Sequence, residues 1–130
     1  MRHASLDVAG VPQSAGDARR FLRASLEEWG CGDAALVEDA VLMVSELVTN
    51  VGLHARTTAR LDIRLDPDHL RVEVHDESSS APEMRPHSVG AEAGRGLRIV
   101  DALASRWGVE TSPGGKAVWF ELPLGAAASR

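Results

Sequence analysis

Apolar positions recur at two different periods along the chain, and the change of period divides it into elements. Ala18, Phe21, Leu22, Leu26 and Trp29 fall at helical spacing after Ser14-Ala15-Gly16-Asp17, a stretch with the form of a capping box, and Gly30 stops the pattern. A second helix is predicted from a cap at Asp33 to about Ala55. Its apolar stripe is Val37, Ala40, Val41, Val44, Leu47, Val48 and Val51. At roughly 100° per residue, Glu46 and Asn50 share one edge of that stripe, with Asp39 two turns earlier and Met43 between.

The period then becomes two. Leu61, Ile63 and Leu65, the turn Asp66-Pro67-Asp68, and Leu70, Val72 and Val74 read as an antiparallel hairpin with one buried face. Parity carries Asp76 onto that inner face at the strand's end, where an ionised carboxylate is costly without a partner and so suggests a ligand contact. From Glu77 to about Ala93 no period is sustained across three serines, Pro82, Pro86 and Gly90, which predicts a long functional loop, a lid. Gly94-Arg95-Gly96 then opens a third helix bearing Leu97, Val100, Leu103 and Ala104 and ending near Arg106. Two strands close the pattern, about Trp107 to Thr111 and Ala117 to Leu124, joined by Ser112-Pro113-Gly114-Gly115. One domain over residues 1–124 and a disordered tail over 125–130 are expected.

Composition narrows the function classes. The chain has 130 residues, 44% hydrophobic and 25% charged, which fits a single globular domain. A net charge of −5 and no basic run beyond Arg19-Arg20 argue against nucleic-acid binding, so an anionic ligand needs a local site. The face of the first helix with Arg19, Arg20, Arg23 and Glu27 reads as a solvated surface, with partner docking as the sharper alternative. No apolar run approaches membrane-spanning length and no signal core is evident, so no membrane association and a cytoplasmic location are expected. With Cys31 alone, no internal disulfide forms, and His54, His69, His75 and His87 lack zinc spacing.

Three features carry chemistry: Glu46 with Asn50, the inward Asp76, and Gly94-Arg95-Gly96-Leu97. Singly, each has a plain structural reading as an exposed polar pair, a binder of loop amides or a turn. In this order and spacing they resemble the GHKL ATP-binding family, which includes sensor histidine kinases, DNA gyrase and heat-shock chaperone ATPases. Glu46-Leu47-Val48-Thr49-Asn50 is similar to its asparagine box, Asp76 to the Asp of its first glycine box, and Gly94 to Val100 to its second. The stretches Gly96 to Trp107 and Gly115 to Phe120 resemble most the short stand-alone members, the anti-sigma-factor serine kinases and their actinobacterial relatives.

The resemblance implies the GHKL (Bergerat) fold, an α/β (α+β) sandwich with helices on one face of a mixed, mostly antiparallel sheet under an ATP lid at about 77–93. It implies ATP and Mg²⁺ as cofactors, with Asn50 as the metal ligand and Gly94, Arg95, Gly96 and Leu97 at the phosphates. Asp76 would accept the adenine amine and Glu46 would be the catalytic base. An oxygen ligand suits Mg²⁺, and helix N-terminal amides suit phosphate. The implied function is a regulator that phosphorylates Ser or Thr of an antagonist protein as a protein serine/threonine kinase. Its partners would be a sigma factor or the antagonist of an anti-sigma factor, with a homodimer also allowed. A non-catalytic, nucleotide-gated protein-binding module with a degenerate ATP site is the alternative.

The sequence departs from the family in two places. Glu77-Ser78-Ser79-Ser80 follows Asp76 where kinases have spaced glycines, and Ala117 stands where many members have a Thr that joins the Asp in holding adenine. Gly115-Lys116 lacks the other residues of a P-loop, so Lys116, the chain's only lysine, reads as a hairpin residue.

Overall fold

The computed structural model describes residues 1–31, 33–78 and 91–124, except for the side chains of 91–95. Five strands, β1 (Arg2–Val8), β2 (Ala59–Leu65), β3 (His69–Asp76), β4 (Arg106–Ser112) and β5 (Gly115–Pro123), form one sheet in the order β1-β2-β3-β5-β4. Every described pairing is antiparallel. Helices α1 (Ser14–Glu28), α2 (Ala34–Asn50) and α3 (Ala91–Leu103) pack on the sheet, with α2 against both α1 and α3 and over β3 and β5. The result is the expected α/β sandwich with helices on one face.

The core lies where the helical stripes meet the inward residues of the strands. Leu22, Leu26, Met43, Val44 and Val48 from the helices are fully buried against Leu61, Ile63, Val72, Val74 and Phe120. Burying side chains of this size contributes about 1.5–3 kcal/mol each before conformational entropy is set against it. The opposite face of the sheet carries an ion-pair network. There, Arg71 joins Glu73 at 2.7 Å and Glu121 at 3.0 Å and lies 4.1 Å from the Trp119 ring centroid.

Local chemistry fixes the element ends. The Asp33 carboxylate accepts the Leu36 amide at 3.2 Å, the cap expected for α2. The helical path runs on through a π-helical turn, Val51–Ala55, so the continuous helix ends where the stripe predicts. Gly30, at φ +74°, ends α1 as the Gly30 and Cys31 amides return to the Glu27 and Leu26 carbonyls at 3.0 Å and 2.9 Å. In the hairpin, Asp66 Oδ1 accepts the amides of Asp68 at 2.8 Å and His69 at 2.7 Å.

Four expectations need correction. Ser14 is no cap: it is the first helical residue, and its buried hydroxyl donates to the Ala9 carbonyl at 2.7 Å. An additional strand, β1, pairs with β2 along the edge, because Ala4, Leu6 and Val8 alternate weakly beside exposed polar neighbours. Helix α3 begins at Ala91, before the glycines, and ends at Leu103 rather than near Arg106, which opens β4. Residues 79–90, most of the expected lid, and the tail 125–130 lie outside the described residues.

The basic face of α1 is tied to its neighbours. Arg19 donates to Ser45 Oγ at 2.9 Å, Arg20 pairs with Asp17, and Arg23 makes two bonds to Glu38 at 2.7 Å and 3.1 Å.

Candidate functional site

Glu46 and Asn50 lie one turn apart on α2, half-buried beside the fully covered Met43, Leu47 and Val48. Helix α3 crosses them at Gly96. A Cβ added there would stand 2.4 Å from Asn50 Nδ2 and 3.6 Å from Glu46 Cβ. A side chain at the first distance would push the Asn50 amide aside, so glycine is what lets α3 approach with Asn50 in this position, although it costs a helix about 1 kcal/mol relative to alanine. The structure thus brings Glu46, Asn50 and Gly96 together.

This placement revises the role of the glycines. Gly94 to Leu97 form no turn ahead of the helix but lie within α3. Only the amides of a helix's N-cap and first three residues lack an internal acceptor, which within α3 are those of residues 91–93. The expected phosphate-binding quartet, Gly94 to Leu97, starts one residue beyond that set. Leu97 is a core residue, 3% exposed. The side chain of Arg95 lies outside the described residues.

Asp76 ends β3 on the inner face, as strand parity predicts, and is 7% exposed. Its partner is Lys116, whose ammonium is 3.0 Å from Oδ2 and 3.2 Å from Oδ1. The Ser78 amide also donates to Oδ1, at 2.7 Å. Parity explains the lysine: Leu122, Phe120 and Val118 face the core, so Lys116 follows them inward, directly across the ladder from Asp76. Gly115 permits the approach. At φ +153°, its added Cβ would lie 2.0 Å from the Asp76 carbonyl oxygen.

Lys116 is therefore more than a hairpin residue, a role that the two-residue period of β5 reveals on close reading. Ala117 pairs with His75, so it is Lys116 that stands across from Asp76. Burying an ammonium and a carboxylate is tolerable only as a closely bonded pair, and here both ends are almost covered.

The opposite face of the sheet holds a second titratable group of residues, Asp62, Glu73 and His75. His75 Nε2 lies 3.2 Å from Asp62 and 2.9 Å from Glu73. Burial pushes the Asp62 carboxyl up, but the Ser5 hydroxyl, Arg60 and His75 outweigh it and hold the group below its ordinary 3.8. Arg71 and His75 likewise outweigh burial at Glu73 and hold it below 4.5. Both carboxylates are ionised structural partners within an arginine-rich network.

The family model for the histidine kinase-like ATPase domain matches residues 8–122. An uncharacterized protein of Streptomyces coelicolor is 36% identical over 80 residues, covering 60% of this chain and 75% of that protein. Among solved structures, the RsbU and RsbW domains of Rv1364c from Mycobacterium tuberculosis superpose with a TM-score of 0.73 at 21% identity, over 95% of this chain and 33% of that one. The histidine kinase domain of the blue-light activated histidine kinase EL346 from Erythrobacter litoralis gives 0.50 at 26% identity, over 68% of this chain and 44% of that one. The chain thus spans less than half the length of either solved chain. The family match runs from the end of β1 to β5 and takes in Glu46, Asn50, Asp76 and Gly96, so the protein belongs to the histidine kinase-like ATPase domain family.

Proposed function

We propose that the protein is an ATP-binding regulator of the anti-sigma-factor type, which transfers phosphate to a Ser or Thr of an antagonist partner. The observation that carries this reading is the close crossing of α2 and α3, where Gly96 leaves room for the Asn50 amide beside Glu46.

In this account the half-buried Asn50 side-chain oxygen would hold Mg²⁺, a hard cation that takes oxygen ligands and would supply positive charge beside the phosphates. The first-turn amides of α3, just ahead of Gly94, bond phosphate oxygens with help from the helix dipole. Asp76 accepts the adenine amine. Glu46 takes the proton from the partner's hydroxyl as that oxygen bonds to the γ-phosphorus, and the bond to the bridging oxygen breaks to release ADP. Sigma factors and anti-sigma antagonists are the partner class, and the cytoplasm is the location. Among the described residues no helix is long and apolar enough to cross a membrane.

The second reading, a non-catalytic module whose nucleotide gates protein binding, draws on the Asp76–Lys116 pair, which occupies the base-reading carboxylate. The two readings part at Glu46. Glu46→Ala keeps the metal and phosphate contacts, so MgATP should still bind while transfer to the partner falls by about 10²- to 10⁴-fold, the usual contribution of a general base. Wild-type protein that transfers no phosphate from labelled ATP, with full regulatory activity in Glu46→Ala, would favour the non-catalytic module.

A further inference from the structure

We infer that Lys116 is a specificity residue of the nucleotide site, an internal occupant of Asp76 that blunts the reading of the base. The inference rests on the ATP-binding function proposed above and concerns how that site selects its ligand.

Lys116 is the only lysine of the chain, and it stands on a strand face otherwise given to Val118, Phe120 and Leu122. A cation on such a face is costly unless it is bonded, and Lys116 contacts both oxygens of a carboxylate whose side chain is 3% exposed. Gly115 fixes the arrangement by letting the start of β5 approach the Asp76 backbone. The Ser78 amide fills a further acceptor position on Oδ1.

An adenine amine arriving at Asp76 therefore competes with an ion pair: its own bond to the carboxylate carries one full charge, whereas the Lys116 bond carries two. The neutral amine is the weaker donor of the two, so displacing the ammonium returns little. Binding then depends mainly on the triphosphate and its metal, and a guanine nucleotide, with the same phosphates, should bind nearly as well. A neutral residue at position 116 would leave the carboxylate open to the base and make it selective.

The test is calorimetry of MgATP and MgGTP with wild type, Lys116→Thr and Lys116→Arg. Wild type and Lys116→Arg should bind the two nucleotides within about threefold of each other, whereas Lys116→Thr should bind MgATP about tenfold tighter with MgGTP little changed, as expected when one competing charged bond is removed. Lys116→Met, which keeps the apolar stem, serves if the Thr variant does not fold.

A second measurement needs no variant. The sole lysine gives a single side-chain ammonium resonance in NMR, which MgATP should shift and magnesium tripolyphosphate, having no base, should not. Strong preference for MgATP in the wild type, unchanged by Lys116→Thr, would overturn the inference and leave the ATP-binding function standing. Absence of MgATP binding in wild type and variants alike would overturn that function and the inference with it.

Discussion

Lys116 Nζ reaches both carboxylate oxygens of Asp76, at 3.0 Å and 3.2 Å, from the position directly across the β3–β5 ladder. The pair joins the ends of two central strands beneath the helical layer, and it satisfies there the one acidic side chain that the hairpin turns inward. Stability and ligand selection consequently meet in one interaction. Removing the lysine leaves a buried carboxylate short of a partner, so Lys116→Thr should lower the melting temperature of the free protein. Addition of MgATP should restore more of that loss than it adds to wild type, because ligand stabilisation grows with affinity. Scanning calorimetry with and without MgATP checks both signs.

Gly96→Ala offers a sharp separation of stability from function. Alanine favours a helix by about 1 kcal/mol over glycine, which on propensity alone would stabilise α3. The new methyl would instead meet Asn50 Nδ2 at 2.4 Å, so Asn50 must turn away. MgATP affinity should fall at least about tenfold, while thermal stability drops by no more than the roughly 1–3 kcal/mol typical of overpacking. Full affinity in Gly96→Ala would detach Asn50 from the metal.

Acid should weaken the fold through the exposed face of the sheet. Asp62 and Glu73 are held below their ordinary values of 3.8 and 4.5, chiefly by Ser5, Arg60 and His75 for the first and by Arg71 and His75 for the second, against the opposing effect of burial. A carboxyl whose folded value lies below its unfolded one stabilises the protein above the unfolded value and loses that contribution as pH falls through the folded one. Melting temperature should therefore hold above about pH 5 and drop below about pH 4. Asp62→Asn should melt lower at neutral pH and lose less on acidification; an acid slope equal to wild type would exclude Asp62 as a source.

Much of this architecture is legible in the sequence because hydrophobic period and turn chemistry agree. The Asp33 cap, the α2 stripe and the Asp66 turn each combine an apolar pattern with a polar side chain that bonds local amides, and each stands where the pattern predicts. Strand β1 is harder to see, since an edge strand with Ser5 and Asp7 outward and Ala4 half-covered carries little contrast. The start of α3 misleads for a different reason. Gly94 and Gly96 read locally as a turn, and at Gly96 it is the approach of Asn50, a residue 46 positions earlier, that accounts for glycine inside a helix. The inward direction of Lys116 is written in the alternation of β5, but its bond to Asp76 depends on pairing between strands far apart in the chain.

The phosphate end of the site predicts a pattern of protection. If the open amides of α3 hold phosphate, hydrogen exchange at residues 91–93 should slow on addition of MgATP, and magnesium tripolyphosphate should have the same effect without the base. Unchanged exchange at saturating MgATP would move the phosphates elsewhere.

The central claim is that the crossing of α2 and α3 builds a magnesium–nucleotide site. Titration of MgATP into wild type and Asn50→Ala by calorimetry tests it most directly. The account predicts one saturable site in wild type that weakens when Mg²⁺ is chelated, and the loss of both the binding and its Mg²⁺ dependence in a folded Asn50→Ala protein. Equal MgATP binding by the two proteins, or none by wild type, would contradict it.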